Sequence, residues 1–408
     1  MDGLTGRQWY AIVLCTLAVF FDGYDAQMLA MAIPLMATDF GVEPTAFRYA
    51  GSASLLGMAV GALLLAPLAD RHGRRRLLRL ALALFGVPTL LAMAASTPQQ
   101  ITALRFIAGC GLGLAVPVTI AIVAGMAPAA RRVQVVTLMA SGFAVGASSA
   151  GLIAPVLTAA GGWHWLFAYG GLAPLLLLVF VWTGVPESRA ETAVVGAAAP
   201  TLQPSVRTLF LPALRARTSL LWALNAINLF ANYGLATWLP TLLIQNGWEP
   251  AQAFRVMAVL SIGALAGSYT ASRLADQGRI ALGLAGAYAV ATVALAVCAT
   301  NPGPGWVWVL LLVLIGFGAI GSMLTLGPLA SAYYPEALRG TGVGWANGVG
   351  RFGSLFGPLA LAALMDLQLP PTWVIGALML PMFCCVGIAL WLPRALRPLP
   401  GDTGGTPA

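Results

Sequence analysis

Apolar runs long enough to cross a lipid bilayer recur along the whole of this 408-residue chain, and no other feature limits its fold so tightly. A bilayer core needs roughly 20 helical residues per crossing. Bounded by clusters of Pro, Gly, Asn, Asp and Arg, the runs predict helices near 9–36, 47–69, 77–95, 99–127, 133–159 and 166–185, then 218–245, 251–275, 280–299, 305–334, 341–365 and 371–393. Charged residues make up 8% of the chain and apolar ones 59%, against roughly 25% and 45–50% in soluble domains, so a water-soluble fold has no interior large enough for them. The expectation is an all-α polytopic membrane protein with twelve transmembrane helices in two six-helix bundles. Residues 1–186 form the first bundle, 187–217 a cytoplasmic linker, 218–393 the second bundle and 394–408 a cytoplasmic tail. The first run is too long for a signal peptide and carries Asp22 and Asp25 where an uninterrupted apolar core would lie, so it reads as a retained helix.

A formal charge of +8 would suggest nucleic acid in a soluble protein. Here all 21 cations are arginines, and most flank predicted helix ends on one side: Arg7, Arg71, Arg74, Arg75, Arg76, Arg79, Arg131, Arg132, Arg189, Arg207, Arg215, Arg217, Arg273, Arg279, Arg339, Arg394 and Arg397. Basic residues at helix ends collect on the cytoplasmic side, so both termini are expected there, in a cytoplasmic (inner) membrane, with no nucleic-acid partner. Trp163, Trp165, Trp248, Trp306, Trp308 and Trp373 mark the outer interface, and Trp9, Trp182, Trp222 and Trp391 the inner one. The five cysteines lie in apolar stretches and the two histidines are too few for a metal centre, so no metal and no cofactor is expected.

The halves repeat. Leu68-Ala69-Asp70-Arg71-His72-Gly73-Arg74-Arg75-Arg76 follows the second helix, and Leu274-Ala275-Asp276-Gln277-Gly278-Arg279 follows the eighth, 206 residues on. Parallel repeats of this kind place a substrate site between bundles near mid-membrane. At these residues the chain resembles the major facilitator superfamily over essentially its whole length. Three further stretches resemble the aromatic acid/proton symporter family within it: Asp22-Gly23-Tyr24-Asp25, the stretch Tyr233 to Pro240, and Tyr334-Pro335-Glu336 through Arg339 and Trp345 to Gly350-Arg351. The resemblance implies proton-coupled import of aromatic carboxylates such as benzoate and hydroxybenzoates, and it implicates the first-helix aspartates and membrane arginines in transport.

Four ionisable groups stand at depth: Asp22, Asp25, Arg105 and Arg351. Each costs at least ~2.5 kcal/mol to insert, so each needs a function or a partner. Asp22 and Asp25 share a helix face; Asp25 lies roughly 5 Å outward of the middle of its helix and Arg105 roughly 10 Å outward in the fourth, a difference an arginine side chain spans. Asp25 or Asp22 is the expected proton carrier, with Arg105 favouring its charged form. Arg351, always cationic and able to bind a carboxylate through two parallel donors, is the expected substrate anchor. The alternative is a buried structural pair between an aspartate and Arg105.

Under the 206-residue offset, Asn228 and Ala231 replace the two aspartates, with Asn225 and Asn232 on neighbouring turns. Neutral amides there suggest that the first half handles protons and the second recognises substrate. Tyr233 and Trp238 are candidates to stack on an aromatic ring, and Asn225, Asn228 and Asn232 to bond ring hydroxyls; equally, the amides join helices and Trp238 anchors an interface. Asn347, Ser322 and Thr325 are further polar candidates. Asp70, Arg71, Gly73 and Arg74 read as a gate between access states, while Arg75, Arg76 and Arg79 read as a solvated basic loop. Gly57–Gly61, Gly142–Gly146, Gly263–Gly267, Gly344–Gly348 and Gly353–Gly357 are GxxxG pairs that let helices approach closely.

The chain is not expected to be an enzyme. An intramembrane aspartyl protease needs its second Asp on another helix, and no Gly-x-Ser-x-Gly or His-Glu-x-x-His arrangement occurs. A symporter of another small organic acid remains open. An efflux antiporter of the same fold is the rival, although Ala154-Pro155 stands where the antiporter pattern has Gly-Pro. A monovalent carboxylate moving with one proton is electrically neutral, and each pH unit then contributes ~1.4 kcal/mol; a second proton adds ~2.3 kcal/mol per 100 mV. The expected functional unit is a monomer in the lipid bilayer.

Overall fold

The computed structural model describes residues 4–66, 68, 72–128, 132–186, 206–212, 214–277, 279–303, 305–334 and 336–392, and helix is the only regular secondary structure among them. Asp70 and Arg71 of the expected gate lie outside the described residues, as do 187–205 of the linker and the whole 394–408 tail.

Helix α1, Gly6–Phe40, begins with a reciprocal cap. The Gln8 N–H donates to Thr5 Oγ1 at 3.4 Å and the Thr5 N–H to Gln8 Oε1 at 2.8 Å, satisfying amides that a first turn otherwise leaves open. The helix ends at Gly41 with φ 64°. Its 35 residues run ~52 Å, so it tilts or projects beyond the hydrocarbon. Helix α2, Arg48–Val60, is entered through a 3-10 turn at Pro44–Phe47 and left through a π turn at Gly61–Leu65. Helix α3 is Arg74–Leu91 and α4, capped by Thr97, is Pro98–Met126.

The next two crossings form one nominal helix, Gly142–Gly184, preceded by Arg132–Ala140. It breaks at Gly161 and Gly162, and Gly162 takes φ 66°, ψ −158°, a conformation open essentially to glycine alone. We call the part before the break, 132–160, α5 and the part after it, 163–184, α6. A short helix Val206–Leu209 leads to α7, Arg215–Gln245, followed by α8, Pro250–Asp276, and α9, Ile280–Ala299. Helix α10 runs Gly305–Ile315, a π turn Gly316–Ile320 and Gly321–Tyr333; α11 is Glu336–Asp366, and α12 joins Pro371–Ala377 to Met379–Trp391. Among the described residues eleven helical spans are long and apolar enough to cross a membrane, and the 47-residue one, Leu138–Gly184, makes two crossings because of its glycine break.

The chain divides into two compact units, Met1–Ala197 with Gly247–Ala258, and Ala198–Asn246 with Val259–Ala408. Lipid offers no hydrophobic force between helices, so close backbone approach must supply the packing. In the first unit a methyl group on Gly57 of α2, or on Gly61 of the π turn that continues it, would overlap the Phe106 or Cys110 carbonyl of α4, and one on Gly109 or Gly113 of α4 would overlap Ser54 or Met58 of α2. Gly142 and Gly146 of α5 meet Thr16 and Phe20 of α1, and Gly23 of α1 answers at Phe143. The second unit repeats both seams six helices later: Gly263 and Gly267 of α8 against Val313 and Phe317 of α10, and Gly353 and Gly357 of α11 against Ala226 and Phe230 of α7. The fifth expected pair behaves otherwise. A methyl group on Gly344 or Gly348 would meet nothing within 4 Å among the described residues, so this pair closes no helix seam.

Outward faces carry Leu63, Val156, Trp306 and Phe383, each about two-thirds exposed or more. Apolar surface on that scale is stable against acyl chains and not against water. The chain is an integral membrane protein.

Candidate functional site

In the first unit, Asp25 of α1 and Arg105 of α4 meet in a forked ion pair, and both are almost wholly buried, at 2% and 1% exposure. Arg105 Nη1 donates to Asp25 Oδ1 at 2.8 Å, Nη2 donates to Oδ2, and Nη2 also reaches Ser54 Oγ of α2 at 3.2 Å. Local packing explains the geometry: Gly109, one turn beyond Arg105, brings α4 onto the Ser54 backbone, so that the serine hydroxyl lies within reach of the guanidinium. Arg105 Nε has no hydrogen-bond partner among the described residues. Two parallel bonds make this the strongest kind of side-chain pair, while burial makes it costly to break. Asp22, one turn earlier on α1, is also buried.

Aromatic side chains close the same level of the unit. The Tyr24 hydroxyl, between the two aspartates in sequence, donates to the Leu166 carbonyl at 3.1 Å, and its ring meets Tyr169 edge-on at 4.9 Å. Sequence reasoning met Tyr24 only as part of the Asp22–Asp25 stretch and missed Ser54 and Tyr169. Ser54 carries no signal of its own, since a single hydroxyl in a membrane helix ordinarily bonds its own backbone.

In the second unit the three asparagines of α7 tie helices together. Asn225 Nδ2 donates to the Ala346 carbonyl at 2.8 Å and to Asn347 Oδ1 at 3.2 Å, both on α11. Asn228 Nδ2 bonds the Tyr288 hydroxyl of α9 and the Ala319 carbonyl, each at 3.2 Å. Asn232 Nδ2 bonds the Asn228 carbonyl, Asn228 Oδ1 and the same Ala319 carbonyl, all at 3.0 Å. Ala319 belongs to the π turn of α10, and wide turns of this type recur where helices carry function. Each of the three amides reaches a neighbouring helix through at least one of these bonds. Ser322 and Thr325 are buried on α10, Thr325 bonding the Ser322 carbonyl. Trp238 has no exposed surface, and its indole N–H donates to the Pro358 carbonyl of α11 at 2.8 Å. Tyr233 is half-buried.

Helix α11 has two exposed faces of opposite character. Trp345, Phe352 and Phe356 form an apolar one. Gly344, Asn347, Gly348 and Arg351 are exposed as well and, at about 100° per residue, lie together on a separate stripe. Its opposite side, Gly350, Gly353 and Gly357, packs on α7. Arg351 and Asn347 are therefore one turn apart on a surface too polar for acyl chains, and Asn225 fixes the orientation of the Asn347 amide.

At the arginine-rich end of the first unit, Gly73 caps α3 with φ 94° and Arg74 Nη1 donates to the Ala121 carbonyl of α4 at 2.9 Å. The solvated loop expected for Arg75 and Arg79 is corrected. Arg75 Nη1 bonds the Trp182 and Val185 carbonyls at the end of α6, at 3.3 and 3.5 Å, and the Arg79 guanidinium lies 3.6 Å over the Trp182 ring. Cations belong at a helix C-terminus, where carbonyls are left over.

The sequence pattern of the Major Facilitator Superfamily matches residues 15–358. The chain is 31% identical over 406 residues to a gallate transporter of Pseudomonas putida, covering 93% of this chain and 90% of that one. It is 32% identical over 396 residues to a 3-(3-hydroxy-phenyl)propionate transporter of Escherichia coli, covering 96% of each. Among solved structures it resembles a D-xylose-proton symporter, with TM-score 0.72, 17% identity and coverage of 95% of this chain and 98% of that one. An inward-facing, occupied bacterial homolog of the lysosomal transporter Spinster gives TM-score 0.78 at 15% identity, covering 97% and 98%.

Proposed function

The chain belongs to the Major Facilitator Superfamily, a family of transporters and not of enzymes, and from that premise we propose that it imports a small aromatic carboxylate of the benzoate or hydroxybenzoate type together with protons, by alternating access. The observation that carries the substrate class is full-length similarity to proteins named for gallate and hydroxyphenylpropionate transport. The working unit is a single chain in the cytoplasmic membrane, with both termini inside, a reading supported by the arginine bias of one set of helix ends.

The buried Asp25–Arg105 fork supports the coupling mechanism. A proton arriving at Asp25 neutralises the carboxylate and releases Arg105, which then keeps its charge with Ser54 as its remaining bond among the described residues. Removing one partner of a buried pair costs about 3–5 kcal/mol, so protonation of Asp25 is tied to a rearrangement of α1 and α4, and substrate binding that favours the same rearrangement favours the proton. Proton and substrate thus favour each other's binding. Asp22, on the same face, is the second acid of the relay. In the other unit Arg351 anchors the carboxylate through two parallel donors, Asn347 adds an amide held by Asn225, and Tyr233 borders the ring. Asn228 and Asn232 hold α7, α9 and α10 in the arrangement that presents these groups. Gly73 and Arg74, with Asp70 and Arg71, form the gate at the cytoplasmic end.

Proteoliposomes with an imposed pH gradient test the reading. Labelled benzoate, hydroxybenzoate or gallate should accumulate, and a protonophore should collapse the accumulation to equilibrium. Uptake of none of these acids, or accumulation indifferent to the protonophore, would overturn it.

A further inference from the structure

A second built site lies in the first unit, well away from the ion pair along α1. The first turn of α1 and the ends of α4 and α6 enclose a pocket of about 630 Å³, lined among others by Thr5, Arg7, Gln8, Tyr10, Arg75 and Thr183, and none of its lining residues among those described is acidic. Its walls are fixed by bonds across the helices. Gln8 Nε2 donates to the Met126 carbonyl of α4 at 3.3 Å, and Arg75 is pinned to the last carbonyls of α6. Gly184 lets α6 close onto the Tyr10 ring, where a methyl group would overlap it. Arg7 is exposed and lines this pocket together with Arg75.

The surroundings identify the kind of ligand. Below the pocket, α1 exposes Tyr10, Val13 and Leu17, at helical spacing, and α6 exposes Leu176, Val179 and Trp182. Arg79 lies over the Trp182 ring, and tryptophan at a helix end marks the level of the headgroups. A pocket lined by two arginines, on helices whose exposed faces next in sequence are apolar, matches a molecule with an anionic head and acyl tails. Basic pockets between transmembrane helices bind anionic lipid heads in this way.

We propose that the pocket between the ends of α1, α4 and α6 is a binding site for an anionic glycerophospholipid, its phosphate against Arg7 and Arg75 and its chains along the Tyr10–Val13–Leu17 and Leu176–Val179 faces. The site does not depend on the transport reading.

The test compares the full-length protein and Arg7→Gln, both reconstituted in vesicles of phosphatidylethanolamine mixed with phosphatidylglycerol, then extracted and examined for retained lipid by native mass spectrometry. Arg7 is exposed, so R7Q should fold. Wild type should retain phosphatidylglycerol in preference to phosphatidylethanolamine, and R7Q should lose about fivefold of that preference, the equivalent of ~1 kcal/mol per basic residue near an anionic surface. Arg273→Gln, whose guanidinium lies against Tyr269 in the other unit, should leave it unchanged. A separate arm adds inorganic phosphate: failure to displace the retained lipid supports the proposal. Equal retention of both lipids by wild type, equal preference in R7Q, or displacement by free phosphate would each overturn it.

Discussion

Asp25 is buried at 2% exposure against an arginine that is equally buried, and that single fact separates two measurable properties. Asp25→Asn should abolish uphill uptake, because the amide holds no exchangeable charge, while substrate exchange down its own gradient persists. A D25N protein that still concentrates substrate would remove the aspartate from the coupling path. The same substitution leaves Arg105 uncompensated and should cost about 3 kcal/mol of stability, read as a lower thermal midpoint in detergent. Combining it with Arg105→Gln should restore most of the loss, since neither charge then remains buried alone. Arg351 differs by being exposed. Arg351→Lys should leave folding intact and raise the half-saturating substrate concentration about tenfold, because an ammonium cannot present two parallel donors; an unchanged value would move the anchor elsewhere.

Among the helices, GxxxG spacing has two outcomes in one chain. Gly353 of α11 lies where a methyl group would overlap the Ala226 carbonyl of α7, while a methyl group on Gly348, earlier on the same helix, would meet nothing within 4 Å. Gly353→Ala should therefore cost about 1–3 kcal/mol through overpacking, and Gly348→Ala should fall within about 0.5 kcal/mol of wild type. Thermal unfolding of the two purified variants side by side checks the contrast, and equal midpoints would mean that the α7–α11 seam yields more than backbone contact allows. The π turn of α10 belongs to this scale as well: its Ala319 carbonyl gathers the amides of both Asn228 and Asn232, which, with the Asn228–Tyr288 bond, makes three helices of the second unit one cross-bonded element.

For the whole molecule, the open quantity is charge movement. One carboxylate with one proton is neutral, so substrate addition to proteoliposomes should give no current, and a voltage should not drive accumulation; with a second proton each 100 mV would add ~2.3 kcal/mol. Two acids one turn apart make the second stoichiometry chemically available, and a substrate-evoked current would establish it. The architecture that frames the question was legible from residues. Twelve apolar runs, an arginine bias and a motif repeated at an offset of 206 predict two six-helix bundles, and the repeated glycine seams of α1–α5 with α7–α11 and α2–α4 with α8–α10 carry that repeat into packing. Element edges were less legible: α1 extends to Gly6 and Phe40 because its cap lies at Thr5 and its stop at Gly41, and neither residue interrupts an apolar run.

The sequence by itself determined which residues are too costly to bury without purpose. A charge in a membrane helix stands out against lipid whatever the fold, so Asp22, Asp25, Arg105 and Arg351 were visible from composition and spacing. Tertiary structure decided how each charge is accommodated. It joined Asp25 to Arg105 beside Ser54, turned Trp238 inward against Pro358, made bonds between helices of the α7 amides, and fastened Arg75 and Arg79 to the end of α6. Those outcomes depend on which helix faces meet and how closely their backbones approach. A linear pattern gives the direction of a side chain around its own helix, and only the assembled bundle supplies the partner on the other side.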